Sequence, residues 1–121
     1  MAQSIMIVED DHGFHELYTA MLEDTDYEII RAYDGDEALV KLEDKKPDLI
    51  ILDILLDMVT GDTFFLYLKG MPDCVDIPII IVSNSNKRDY KNLMKMDPSI
   101  VFLDKGVTEE KLIEEIKKKI G

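Results

Sequence analysis

Leu49-Ile50-Ile51-Leu52-Asp53 is a run of four apolar side chains closed by a carboxylate, and apolar sequence resumes at once with Ile54-Leu55-Leu56. So short an apolar run is too brief for a buried helix and reads as a strand covered on both faces. The same grammar recurs along the chain. Residues 4–8 run into Glu9-Asp10, residues 77–82 into Ser83, and residues 100–103 into Asp104-Lys105. Residues 27–32 form a further strand whose end carries no reactive group, which suits a sheet edge. Amphipathic segments of helical length separate these runs, so the pattern is βα repeated five times. That pattern predicts an α/β fold with a parallel sheet and right-handed crossovers. In such a sheet all C-terminal strand ends share one rim, where open α/β sheets bind ligands.

Helical spacing of Phe14, Leu17, Met21 and Leu22 predicts a first helix over residues 13–24. Ala38, Leu39 and Leu42 mark a second after Asp34-Gly35, and Phe64, Phe65 and Leu68 a third after Gly61. Residues 86–96 carry a fourth, poorly patterned segment. Thr108, followed by Glu109 and Glu110, is an N-cap for a last helix whose inner stripe is Leu112, Ile113, Ile116 and Ile120.

At 121 residues the chain is long enough for one domain with its own core, and no linker, repeat or low-complexity tract divides residues 1–121. The apolar fraction of 46% and charged fraction of 33% are those of an ordinary soluble globule. No apolar run approaches the ~20 residues that span a bilayer, and the N-terminus lacks a signal-peptide pattern. Neither a membrane partner nor a disulfide is expected. The single Cys74 reads as a bystander, and a cytoplasmic location fits best. A net charge of −12 argues against direct nucleic-acid binding. The one basic run, Lys117–Lys119, suits the C-terminal end of a helix.

Asp53 is the central candidate, because a carboxylate amid apolar sequence is costly unless paired or metal-bound. Glu9 and Asp10 follow the first strand directly. If that strand neighbours the third, Asp10 faces Asp53 across the rim, and a cation best relieves their repulsion. Hard oxygen ligands suit Mg²⁺, with Mn²⁺ an alternative. Ser83 offers a hydroxyl and Lys105 an ammonium, both suited to a phosphoryl group. Asp11 reads as the start of a helix, and His12 and His15 as exposed helical positions. A nucleotide- or flavin-binding protein would need a Gly-rich loop where Glu9-Asp10-Asp11-His12-Gly13 stands. A phosphatase of the Asp-x-Asp type would need a second Asp at the position of Leu55.

These residues, in order and spacing, resemble the receiver domain of two-component response regulators, of the chemotaxis-regulator kind. The resemblance covers essentially the whole chain. It rests on Ile5-Met6-Ile7-Val8-Glu9-Asp10-Asp11, on Pro47-Asp48-Leu49-Ile50-Ile51-Leu52-Asp53-Ile54 with the later Gly61, on Ile77-Pro78-Ile79-Ile80-Ile81-Val82-Ser83, and on Phe102-Leu103-Asp104-Lys105. It implies a flavodoxin-like (βα)5 sandwich with strand order 2-1-3-4-5, helices 1 and 5 covering one face and helices 2, 3 and 4 the other. It also implies Asp53 as phosphoacceptor from a histidine kinase or histidine phosphotransfer protein. Asp10, Asp53 and the backbone carbonyl of Leu55 would hold Mg²⁺, with Glu9 acting directly or through water. Ser83 and Phe102 would switch on phosphorylation and alter the face built from the fourth helix, fifth strand and fifth helix, for an output partner or a phosphorylation-dependent homodimer. Such a domain is no conventional enzyme; at most it catalyses its own Asp phosphorylation and dephosphorylation. The alternative is a degenerate receiver that docks partners without phosphorylation.

The chain departs from the family pattern at several positions. Gly106 follows Lys105 where the family usually has a cis proline, which implies a trans bond and a less firmly aimed lysine. Asp57, Asn84 and Asp97-Pro98-Ser99 stand where Pro or small residues are usual, and Phe102 lacks the hydroxyl many members carry there. Leu55 and Ser85 occupy positions that tune phosphoryl lifetime in the family.

Overall fold

Burial turns the apolar runs into strands. In the computed structural model, which describes residues 2–53, 61–83, 95 and 97–121, β1 (Ser4–Val8) and β3 (Leu49–Leu52) are buried along their whole length. They pair with each other from Ile5↔Leu49 to Val8↔Leu52, so their ends are level. β2 (Glu28–Ala32) lies outside β1, while β4 (Ile79–Ser83) and β5 (Val101–Asp104) continue beyond β3. The sheet is parallel throughout, in the order β2-β1-β3-β4-β5. This is the flavodoxin-like order expected from the sequence.

Side-chain alternation divides the core into two layers. Met6, Val8, Ile50, Leu52, Ile79 and Ile81 face α2 (Gly35–Asp44) and α3 (Gly61–Lys69), through Ala38, Leu42, Phe64, Phe65 and Leu68. Ile5, Ile7, Leu49, Ile51, Ile80 and Val82 face α1 (His12–Met21) and the C-terminal helix α4 (Glu109–Ile120), through Tyr18, Leu112 and Ile116. Cys74 is buried in the first layer as a plain core residue. The fourth segment read from the sequence, 86–96, lies outside the described residues except for position 95. Among the described residues no helix is long and apolar enough to cross a membrane.

Local chemistry fixes the helix starts. Asp11 caps α1, accepting from the backbone N–H of Gly13 and Phe14 at 2.7 and 3.2 Å. Asp34 accepts from Glu37 N–H at 2.7 Å while the Glu37 carboxylate reaches back to Tyr33 N–H at 2.9 Å, an arrangement close to a capping box. Thr108 Oγ1 accepts from Lys111 N–H at 3.2 Å, as its sequence position indicated.

Three expectations need correction. The first helix runs from His12 to Met21, not over 13–24, because Asp11 is already the cap and the chain turns at Leu22. Its inner stripe includes Tyr18, whereas Leu17 is 41% exposed. β5 is only half-buried, with Asp104 exposed, because an edge strand lacks a neighbour on one side.

Candidate functional site

The level ends of β1 and β3 deliver three carboxylates to one place. Asp53 N–H donates to the Val8 carbonyl at 3.0 Å, extending the ladder one residue past β3. Glu9 N–H does the same to Ala32 O at 3.0 Å, on the β2 side. One oxygen each from Glu9, Asp10 and Asp53 then lie within 4.8 Å of one another. Glu9 is 1% and Asp53 5% exposed, while Asp10 is half-buried.

From β5 comes the counter-charge. Lys105 Nζ lies 2.6 Å from Glu9 Oε1 and 3.0 Å from Asp53 Oδ2, and its other side rests 4.1 Å from the centre of the Phe14 ring. An ammonium over an aromatic face is attracted by the ring quadrupole. The loop that aims the lysine is closed by Asp104, whose Oδ1 accepts from Gly106 N–H at 2.7 Å and whose carbonyl accepts from Val107 N–H at 3.0 Å. A proline at 106 could not make the first of these bonds. No cis peptide bond occurs among the described residues, and Lys105 is nonetheless held by two carboxylates and a ring, more firmly than the glycine suggested.

Burial and proximity shift the protonation of this group. Burial first, and then the adjoining Asp53 carboxyl, push Glu9 up to about 8, against the pull of Lys105. Burial draws Lys105 down, but its bonds to Glu9 and Asp53 outweigh this and leave it raised. Beneath the cluster Tyr18 is raised by burial and then by the Glu9 and Asp53 charges, and its hydroxyl has no hydrogen-bond partner among the described residues.

One lysine among three acids leaves the cluster negative. Glu9 Oε2 is buried without a hydrogen-bond partner among the described residues. An unmet acceptor beside two further carboxylates suits a hard divalent cation with waters completing its shell. Glu9, Asp10 and Asp53 are thus able to hold such an ion.

Ser83 ends β4 on the same rim, in register with Asp104. Phe102 is half-buried on β5 and packs toward the α2–α3 layer. Leu55, Asp57, Asn84 and Ser85 lie outside the described residues.

One residue of the site runs against expectation. His12 is exposed, but His15 is fully buried. Its Nε2 lies 2.6 Å from the Glu9 carbonyl oxygen and 3.2 Å from that of Ala32. Reading the histidines by helical exposure missed this. The available signal was position, since the second turn of a helix that follows a strand end lies over that strand's terminal carbonyls. Phe14 was read as core, with no hint of its contact with the lysine.

Comparison with known proteins places this geometry. A family model described as the response regulator receiver domain matches residues 5–117. The polar-differentiation response regulator DivK of Brucella anthropi is 31% identical over 121 residues, covering 100% of this chain and 98% of its own. The signal receiver domain of a signal transduction histidine kinase from Syntrophus aciditrophicus superposes with a TM-score of 0.83 at 32% identity, covering 97% of this chain and 89% of the other. The chemotaxis protein CheY4 of Vibrio cholerae shares the fold, with a TM-score of 0.89 at 24% identity over 98% of this chain and 99% of that one.

Proposed function

The chain belongs to the response regulator receiver family, and on that premise we propose that it accepts a phosphoryl group on Asp53 and passes the event on as a change in partner binding. The observation that carries this reading is the buried Asp53 carboxylate, 3.0 Å from the Lys105 ammonium and grouped with Glu9 and Asp10. A histidine kinase or histidine phosphotransfer protein is the proposed donor. An Asp53 oxygen forms the new P–O bond as the donor's P–N bond breaks, and the imidazole leaves with the electron pair. Lys105 Nζ, already at Asp53, is placed to pair with a phosphoryl oxygen. Mg²⁺, or Mn²⁺ in its place, would be held by Glu9, Asp10, Asp53 and the backbone carbonyl of Leu55, and when bound offsets the charge of acceptor and phosphoryl group alike. Ser83 and Phe102 are the proposed switch residues, Ser83 turning to the phosphoryl group and Phe102 filling the space it leaves. The exposed face near β5 and the C-terminal helix is where an output partner would sense the change.

A small acyl-phosphate donor with Mg²⁺ should add one phosphoryl group to the wild type, read by intact mass, and none to Asp53→Asn or to protein in EDTA. Label that persists in Asp53→Asn would refute the assignment.

A docking module that needs no phosphorylation is favoured by one feature. Gly106 stands where the family pattern has a proline after the lysine. A folded wild type that takes no label, and whose spectrum ignores beryllofluoride with Mg²⁺, would establish that reading.

A further inference from the structure

Among the described residues, His15 is a fully buried titratable side chain beside the site that the proposed chemistry does not use. Both of its Nε2 neighbours are carbonyl oxygens, so Nε2 carries the hydrogen and donates to each. The two carbonyls sit where the β1–β2 ladder ends, one residue past the last register pair on β1 and on the last residue of β2. A single N–H therefore bridges two strands at the rim. Tyr33 packs on the imidazole at 4.3 Å, and His12 stacks on Tyr33 at 4.4 Å, which fixes the ring's orientation.

As a core filler this ring is a poor choice. Nδ1 is buried with no hydrogen-bond partner among the described residues, and stranding such an atom costs about 1–3 kcal/mol. An apolar side chain of similar size would fill the space without that cost. What the imidazole adds is the grip on the Glu9 carbonyl. That carbonyl shares a rigid peptide plane with Asp10 N–H, so its direction sets ψ of Glu9 and φ of Asp10 together. Freeing the plane loosens the backbone from which both carboxylates start.

We propose that His15 is a positioning residue: its Nε2–H staples the Glu9 and Ala32 carbonyls and thereby aims the Glu9 and Asp10 carboxylates at a shared cation. This rests on the metal-binding reading above. Groups that orient metal ligands from outside typically change affinity 10–100-fold when removed. His15 acts through the backbone, so the low end applies.

The test is Mn²⁺ binding by the full chain, followed by electron paramagnetic resonance of free Mn²⁺, with thermal melting as the check on folding. His15→Leu removes the donor and keeps the bulk; His15→Gln restores an N–H at similar reach. Dissociation should weaken about tenfold in the Leu variant and stay within about threefold of wild type in the Gln variant. His15→Met replaces Leu if the latter melts below the working temperature. Wild-type affinity in the apolar variant overturns the staple alone, as does equal weakening in both variants. A cooperatively melting wild type that binds no Mn²⁺ overturns the metal reading and the staple with it.

Discussion

Lys105 touches the site's two most buried carboxylates at once, so its removal is informative without any phosphodonor. Lys105→Met keeps an unbranched side chain of similar length but takes the ammonium away from Glu9, Asp53 and the Phe14 ring. Stranding buried polar groups costs about 1–3 kcal/mol, and Glu9 limits the loss by holding a proton. Urea unfolding at neutral pH without divalent ions should show a loss of that size, and added Mg²⁺ should recover part of it. A variant as stable as wild type would show that the ion pair contributes nothing to folding. At this scale the sequence pointed to the three acids and the lysine that the structure brings together, because each closely follows an apolar run. It hid His15 and the ring of Phe14. Their roles depend on which strand carbonyl or which side chain of another element lies opposite, and linear spacing carries no such information.

Strands were easier to read than helices, for a physical reason. β1 and β3 are covered on both faces, so every position is apolar and the pattern has no gap. In α1 apolar spacing pointed to Leu17, which is exposed, because the inward face there carries His15 and Tyr18 in addition to hydrophobic residues. The turn into β5 was also read only as unusual. It is organised by Asp97, whose carboxylate accepts from Ser99 N–H at 3.0 Å and Ser99 Oγ at 2.5 Å and pairs with Lys69 of α3 at 3.3 Å. Burial pulls the Asp97 pKa upward, but the Ser99 bonds and then Lys69 outweigh it and hold it below 3.8. Unfolded Asp97 therefore takes up its proton before the folded form does. Its contribution is complete above pH 3.8 and is lost as pH falls through the lowered value. Chemical denaturation in steps below pH 5 should show a shallower decline for Asp97→Asn than for wild type. Parallel declines would remove this turn from the acid response.

The whole molecule gathers an acidic surplus of −12 and folds three of its carboxylates into one rim cluster. An ion that binds the folded chain alone must stabilise it: at ten times its dissociation constant the gain is about 1.4 kcal/mol, or a few degrees of melting temperature for a domain this size. Mg²⁺ should raise the melting temperature of the wild type by that amount and leave Asp10→Asn nearly unmoved. Equal shifts in both would mean that the ion acts on the general surface charge. The parallel βα build was legible from the alternation of runs and segments, whereas the strand order 2-1-3-4-5 came from the family resemblance. The helix expected over 86–96 lies outside the described residues except for position 95.

Because the lysine follows the last strand, it leaves the ribosome 52 residues after Asp53 and 96 after Glu9. A nascent polypeptide holding only the first three strands lacks Lys105 to close over those acids, which must stay hydrated or protonated until the fifth strand has been made. Parallel topology thus makes arrival of the fifth strand the step that seals the pocket.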